Sequence, residues 1–286
     1  MKDVIVRTSR QCMLVCVLLG GCTLVTTDSV QLDNTPAALS VRARILEAGV
    51  PSESVGWVSC ETNGNGVALE MRAVRSEYLE AIRPVKVHHL TIARSPNLEN
   101  LDSLRDYDLR TLTVGSSGVS DIRALRGMNL ESLILTELPL SDLSPLKGMT
   151  TLRRLHLGRT QITTVTDLRN LELRELDIPW TSVADLSPLG EVPLSKLNIE
   201  GTSVADLAPT RAMPLTELNV WQSEVRALDA LEGQSLLSVT FSPERITSGL
   251  HVLRGMVSLR SINGVSPAKF WASIRGRRPA DRSGSP

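Results

Sequence analysis

The chain has 286 residues, with 31 basic and 31 acidic side chains. That balance excludes the cationic excess of a nucleic-acid-binding domain. Aromatics make up only 3%, a share that suits a narrow core filled by Leu and Val.

The N-terminus carries Lys2, Arg7 and Arg10, then an apolar run from Cys12 to Leu19. That run is too short to span a bilayer and reads as the apolar stretch of a signal peptide. It ends in Leu19-Gly20-Gly21-Cys22, which resembles a bacterial lipobox. The resemblance implies a lipoprotein signal peptide over 1–21, with the Cys22 thiol acylated and Cys22 as the new N-terminus. Several acyl chains on one residue would hold the protein stably at a membrane, each buried CH₂ adding roughly 0.8 kcal/mol. Thr23 follows, and the absence of Asp there points to the outer membrane in a host that has one. An ordinary signal peptide cut elsewhere would instead leave Cys22 incidental. Loss of 1–21 removes three basic and one acidic side chain, for a net charge of about −2. Cys12 and Cys16 leave with the signal, so Cys60 has no intramolecular disulfide partner and is expected to be a small buried residue.

Residues 22–36 are polar and rich in Thr and Asp, as in a tether. Residues 37–66 are expected to form an N-terminal cap. Ala37–Ala48 has helical spacing in Leu39, Val41, Ile45 and Leu46. The Asn-Gly-Asn-Gly of Asn63–Gly66 separates two strand-like runs and reads as a hairpin. That hairpin would cover the open edge of whatever follows.

From 67 to 264 the chain repeats itself. Leu-x-Leu-like pairs begin at Leu69, Leu90, Leu112, Leu133, Leu155, Leu176, Leu197, Leu218, Val239 and Ile262. Their spacings are 21, 22, 21, 22, 21, 21, 21, 21 and 23. A fixed period of this length is the signature of a solenoid. Other columns keep the same register. A Leu stands three before most pairs, from Leu109 to Leu259. A small hydroxyl stands five after the first Leu, as in Thr160, Thr181 and Thr202. Further apolar columns follow at seven and ten. Both outer residues of Leu-x-Leu point to one face and x to the other. Each short strand must therefore stack on its neighbour to bury that face. The hydroxyls turn inward and bond backbone groups of the bend. Ser144 before Pro145, and Ser187 before Pro188, read as N-caps of a short helical or 3₁₀ return. Leu138 and Glu244 depart from the hydroxyl column, and Thr210 from a Leu column.

The runs "DLSPLKGM" (Asp142–Met149) and "TSVADLSPL" (Thr181–Leu189) resemble the turns of internalin-type bacterial leucine-rich repeats. The ending "LRSINGVSPAKFW" (Leu259–Trp271) is similar to the closing segment of such proteins. The resemblance implies an α/β solenoid: a curved parallel β-sheet with short helical or 3₁₀ returns, capped at both ends, and a binding role. Residues 265–275 are expected to be a C-terminal capping helix that places Phe270, Trp271 and Ile274 on the last turn. Residues 276–286 read as a disordered tail.

No catalytic constellation emerges. His88, His89, His156 and His251 are scattered over the repeats and read as surface residues, with no zinc pattern and no nucleophile–base pair. The expectation is a non-enzymatic monomer without metal or cofactor. The x positions on the exposed sheet face include His156, Asp177, Asn198 and Asn219. Beside them stand Arg159, Trp180, Gly201 and Trp221. Trp180 and Trp221 lie two strands apart, roughly 10 Å at strand spacing. They are expected to flank a slot floored by Gly201, with Asp177, Asn198 and Asn219 as a polar wall and Arg159 at one side. Such a patch fits an aromatic-and-Arg binding hot spot for a protein or glycan partner. The competing reading is an envelope spacer with no specific ligand.

Overall fold

The computed structural model describes residues 35–60 and 66–275. The expected signal peptide, Cys22, most of the expected tether, Asn63–Asn65 of the expected hairpin turn and residues 276–286 lie outside them.

Alternation and period together dictate the architecture. Among the described residues, eleven strands form one sheet in chain order. β1 (Val55–Cys60) runs antiparallel to β2 (Val67–Arg72). All later neighbours are parallel: β3 (Val87–Ser95), β4 (Thr111–Ser117), β5 (Ser132–Thr136), β6 (Arg154–His156), β7 (Glu175–Asp177), β8 (Lys196–Asn198), β9 (Glu217–Val220), β10 (Ser238–Phe241) and β11 (Ser261–Ile262). The register is set by the Leu column, with Leu155, Leu176, Leu197 and Leu218 side by side. All are buried. The core is a single apolar column running through every turn.

The returns are 3₁₀ turns such as Ser144–Leu146, Ser187–Leu189 and Ala208–Thr210. The serines do not cap them. Ser144 and Ser187 are first residues of their turns, and the preceding Leu143 and Leu186 hold the cap position without a side-chain bond. A column of aspartates, Asp121, Asp142, Asp185 and Asp206, supplies the bond instead. The backbone N–H of Arg123, Ser144, Ser187 and Ala208 donates to Oδ1 of Asp121, Asp142, Asp185 and Asp206, each at 2.8 Å. A carboxylate two residues back reaches an N–H that a Ser at the first position cannot.

The hydroxyl column does satisfy the bend. Thr160, Thr181, Thr202 and Ser223 donate to the carbonyls of Leu157, Ile178, Ile199 and Val220 at 2.7–2.8 Å. Leu138, which departs from that column, is simply buried. Thr210 occupies a Leu slot, wholly buried, and donates to Leu207 O at 2.8 Å.

A further column is one of backbone shape. Arg94, Ser116, Glu137, Arg159, Trp180, Gly201 and Gln222 all have positive φ, between 49° and 64°. All but one carry a side chain in a left-handed conformation that costs roughly 1–2 kcal/mol. The stack holds them there. Glu137, Arg159, Trp180 and Gly201 donate their N–H groups to Gly158, Pro179, Glu200 and Trp221 carbonyls of the next turn, at 2.8–3.0 Å. The column ends at Pro243, whose ring locks φ near −65°.

The first turn is covered by α1 (Pro36–Glu47), capped by Thr35 Oγ1 on Ala38 N, with Ala38, Val41 and Ile45 facing the core. Leu39 and Leu46 point outward, so the inner stripe starts one residue earlier than expected. Arg42 of α1 donates to Gly56 O on β1 at 2.9 Å. Cys60, expected to be buried, is half-buried against the core at the end of β1. The last turn is closed by the C-terminal helix Pro267–Arg275. Phe270 is buried there, edge-on to Phe241 with centroids 5.7 Å apart.

Candidate functional site

Two groups of side chains meet around β6 to β9, one on the sheet face and one on the bend beside it. On the sheet face, β7 reads Glu-Leu-Asp. Leu176 enters the core, and Glu175 and Asp177 therefore share the opposite face. His156 on β6 stands directly across from Asp177. Its Nε2 lies 3.0 Å from Asp177 Oδ2 and 3.3 Å from Glu175 Oε1. Asp177 is only 3% exposed. Burial pushes its carboxyl up to about 6, with the His156 charge working against that rise. Glu175 is held below the usual carboxylate range, chiefly by its hydrogen bond with His156.

The next two turns place Asn at the position of Asp177. Asn198 Oδ1 accepts from Glu200 N at 3.1 Å, and Asn219 Oδ1 from Trp221 N at 3.0 Å. Asp177 has no such bond to make, because the residue two further on is Pro179, which lacks an N–H.

On the bend, Trp180 is 43% exposed, and the Arg159 guanidinium carbon sits 5.8 Å from its ring centroid. The indole lies over Gly201: a Cβ built there would fall 2.5–2.8 Å from three ring atoms. Glu200 stands nearby and accepts from Asn219 Nδ2 at 3.0 Å. Burial raises the Glu200 carboxyl above its ordinary value, while Asn219 and Arg159 pull it down.

No protein-family model matches the chain, and no curated protein matches it. Among solved structures, internalin C2 of Listeria monocytogenes aligns at 22% identity over 62% of this chain and 80% of that one, with a TM-score of 0.52. The fold is an internalin-like leucine-rich-repeat solenoid. A second Listeria monocytogenes internalin aligns at 17% identity over 87% of this chain and 95% of the other, with a TM-score of 0.47.

Within this leucine-rich-repeat frame the expected patch separates into parts. Asp177, Asn198 and Asn219 are buried, not an exposed wall. They form the floor of a shallow depression rimmed by Lys196, Glu217 and Ser238. The slot between the two Trp residues is also closed, because the Trp180 ring occupies the space above Gly201. Trp221 is half-buried and sits one column before the bend. Trp180 and Arg159 do meet. His156 is not a surface residue but the centre of a half-buried triad, and His88 is buried as well. Glu175 escapes sequence reasoning. Its signal is present all the same, since Glu-x-Asp on one strand with His one period earlier must converge on one sheet face.

Among the described residues, no helix is long and apolar enough to cross a membrane.

Proposed function

We propose that the protein is a lipid-anchored recognition module of the bacterial cell envelope. Cys22 carries the acyl chains, residues 22–36 tether the domain, and the solenoid binds a protein partner at the bend beside β6 to β8. The observation that carries this reading is Trp180: a large indole, 43% exposed, in a left-handed backbone position beneath Arg159. The chain has few aromatics to spare. A rigid, part-exposed indole under a guanidinium is the kind of anchor that concentrates binding energy. The Arg159–Trp180 pair supports a peptide side chain or backbone as the contacting group, with Glu200 adding acceptor capacity beside it. The left-handed backbone is common to this column, but a spacer gives no reason to place a part-exposed indole there beneath a guanidinium.

The test is capture of partners from native envelope by photo-crosslinking from position 222, exposed in the same bend column, followed by affinity measurements on the identified partner. Trp180→Ala and Arg159→Ala should each weaken it at least tenfold with an unchanged thermal melt. Affinity equal to wild type in both would place binding elsewhere.

A further inference from the structure

We propose that His156, Glu175 and Asp177 form a binding site for a divalent transition-metal ion of the zinc class. The three ligand atoms, His156 Nε2, Glu175 Oε1 and Asp177 Oδ2, all lie within 4.8 Å of one another. They come from two adjacent strands of one sheet face, so the backbone ladder fixes their positions.

Three observations argue for an ion and against a closed set of hydrogen bonds. The first is the Asp177 carboxylate itself. It is almost wholly buried, and its Oδ2 has no aligned hydrogen-bond donor although it points into the cluster 3.0 Å from His156 Nε2. A protonated Nε2 has one N–H to give, and the hydrogen-bond geometry on that nitrogen is met toward Glu175 Oε1 and not toward Asp177. The Asn198 amide faces the same carboxyl from the next strand, but its Nδ2 makes no aligned bond either, so Oδ2 stays without a well-formed hydrogen bond in a place where that is costly. A cation between the three groups would take one lone pair from each of them, Asp177 Oδ2 included.

The second is the identity of the residue. The equivalent positions of the next two turns carry Asn198 and Asn219, which are neutral and bonded to their own backbone. Asp177 is a carboxylate in the same slot, freed by Pro179 from that backbone bond. A buried charge where an amide would fit is expensive unless something positive pairs with it.

The third is spacing. Zinc bonds of 2.0–2.2 Å in a tetrahedron set ligand atoms about 3.4 Å apart. His156 Nε2 stands 3.3 and 3.0 Å from its two carboxylates, so small rotations would open the cage. Half-buried His156 and Glu175 leave an approach from solvent, from which a water would supply the fourth ligand. One imidazole and two carboxylates select zinc or a neighbouring first-row ion over magnesium or calcium, which prefer all-oxygen shells. Lys196 is engaged by Glu217 at 2.7 Å, which leaves Glu175 for the ion. The site differs from the partner-binding bend and does not rest on that reading.

The experiment uses the untagged full-length protein, stripped with chelator. Titration with Zn²⁺ by calorimetry should give one saturable site that needs these three residues, and Co²⁺ should develop a visible absorption band. That band should lack the intense near-ultraviolet thiolate transition a cysteine site would show. Asp177→Asn should abolish the band and weaken Zn²⁺ binding at least tenfold while the protein stays folded, since Asn serves the same position in two other turns. Glu175→Gln should act the same way. Mg²⁺ should not compete. Absence of a saturable event, or binding that survives both variants or carries thiolate absorption, would overturn the site and leave the triad as a set of imidazole–carboxylate contacts.

Discussion

The indole of Trp180 occupies the place where a side chain at residue 201 would begin, with the nearest ring atom 2.5 Å from a Cβ built there. Left-handed backbone alone does not require glycine at this column, because Arg159, Trp180 and Gln222 adopt it too. The requirement comes from the ring. Gly201→Ala should therefore cost more than the roughly 1–2 kcal/mol of left-handed strain. In a Trp180→Ala background the same change should cost only that strain. A double-mutant cycle by chemical denaturation should give a coupling of about 1–2 kcal/mol. A coupling near zero would mean the ring swings aside freely.

Asp206 isolates the capping role of its column, because Ala208 follows and no hydroxyl can share the bond. Asp206→Ala should lower stability by about 1 kcal/mol, the ordinary worth of a side-chain cap. Ser187→Ala, one position too far along to cap, should leave the melt within about 0.5 kcal/mol. The reverse ranking would return the cap to serine.

Asp177 makes a signed prediction about pH in metal-free protein. Its carboxyl is raised by burial to about 6, against an ordinary value of 3.8. Between those values the folded state keeps a proton that the unfolded state releases, so this group costs stability as pH rises through that window. His156, Glu175, Lys196 and Arg154 surround the pair and set the background. Glu175 has the opposite sign: its contribution is present above its unfolded value and fades as pH falls through its lowered one. Asp177→Asn removes the first effect. The variant should match wild type near pH 4 and exceed it at pH 7 by on the order of 2 kcal/mol. A variant less stable than wild type at pH 7 would show that the carboxylate is already well paired.

Leu176 lies wholly inside the central turn. Leu176→Asp should cost at least about 3 kcal/mol through an unpaired buried charge. Deleting residues 173–193, one full period, should be milder, since each turn contacts only its neighbours. Circular dichroism melts of the two proteins decide it. A folded point variant beside an unfolded deletion would contradict the solenoid energetics.

Cys22→Ser should abolish incorporation of a fatty-acid probe and leave the precursor uncut. Equal labelling of variant and wild type would remove the lipid anchor from the proposed function.

The apolar columns are legible in the sequence because burial repeats with the period, and each Leu must face inward for its turn to have a core. The left-handed column is not. Gly201 is its only conventional marker, and Arg94, Ser116, Glu137 and Gln222 carry no hint of positive φ. Their conformation is imposed by cross-turn hydrogen bonds that single-turn reasoning does not see. The capping Asp residues stand in plain view, but Ser-Pro suggests a cap one position too late. At the site, the period alone makes Trp180 and Arg159 neighbours, and they are. The expected wall of Asp177, Asn198 and Asn219 fails because the x positions of so narrow a sheet are not open. Long side chains of Glu175, Lys196 and Glu217 share that face and crowd it.

Those long side chains also set a rule for length. Along the row before the core leucines, Arg154, Glu175, Lys196 and Glu217 lie in register on successive strands, plus facing minus at each step. Cross-strand pairs of opposite charge contribute roughly 0.2–1 kcal/mol, and like charges cost similar amounts. Removing one turn brings Arg154 against Lys196; removing two brings it against Glu217 and restores the alternation. The row thus carries a parity, and the middle of this solenoid should shorten or grow more readily by two turns than by one.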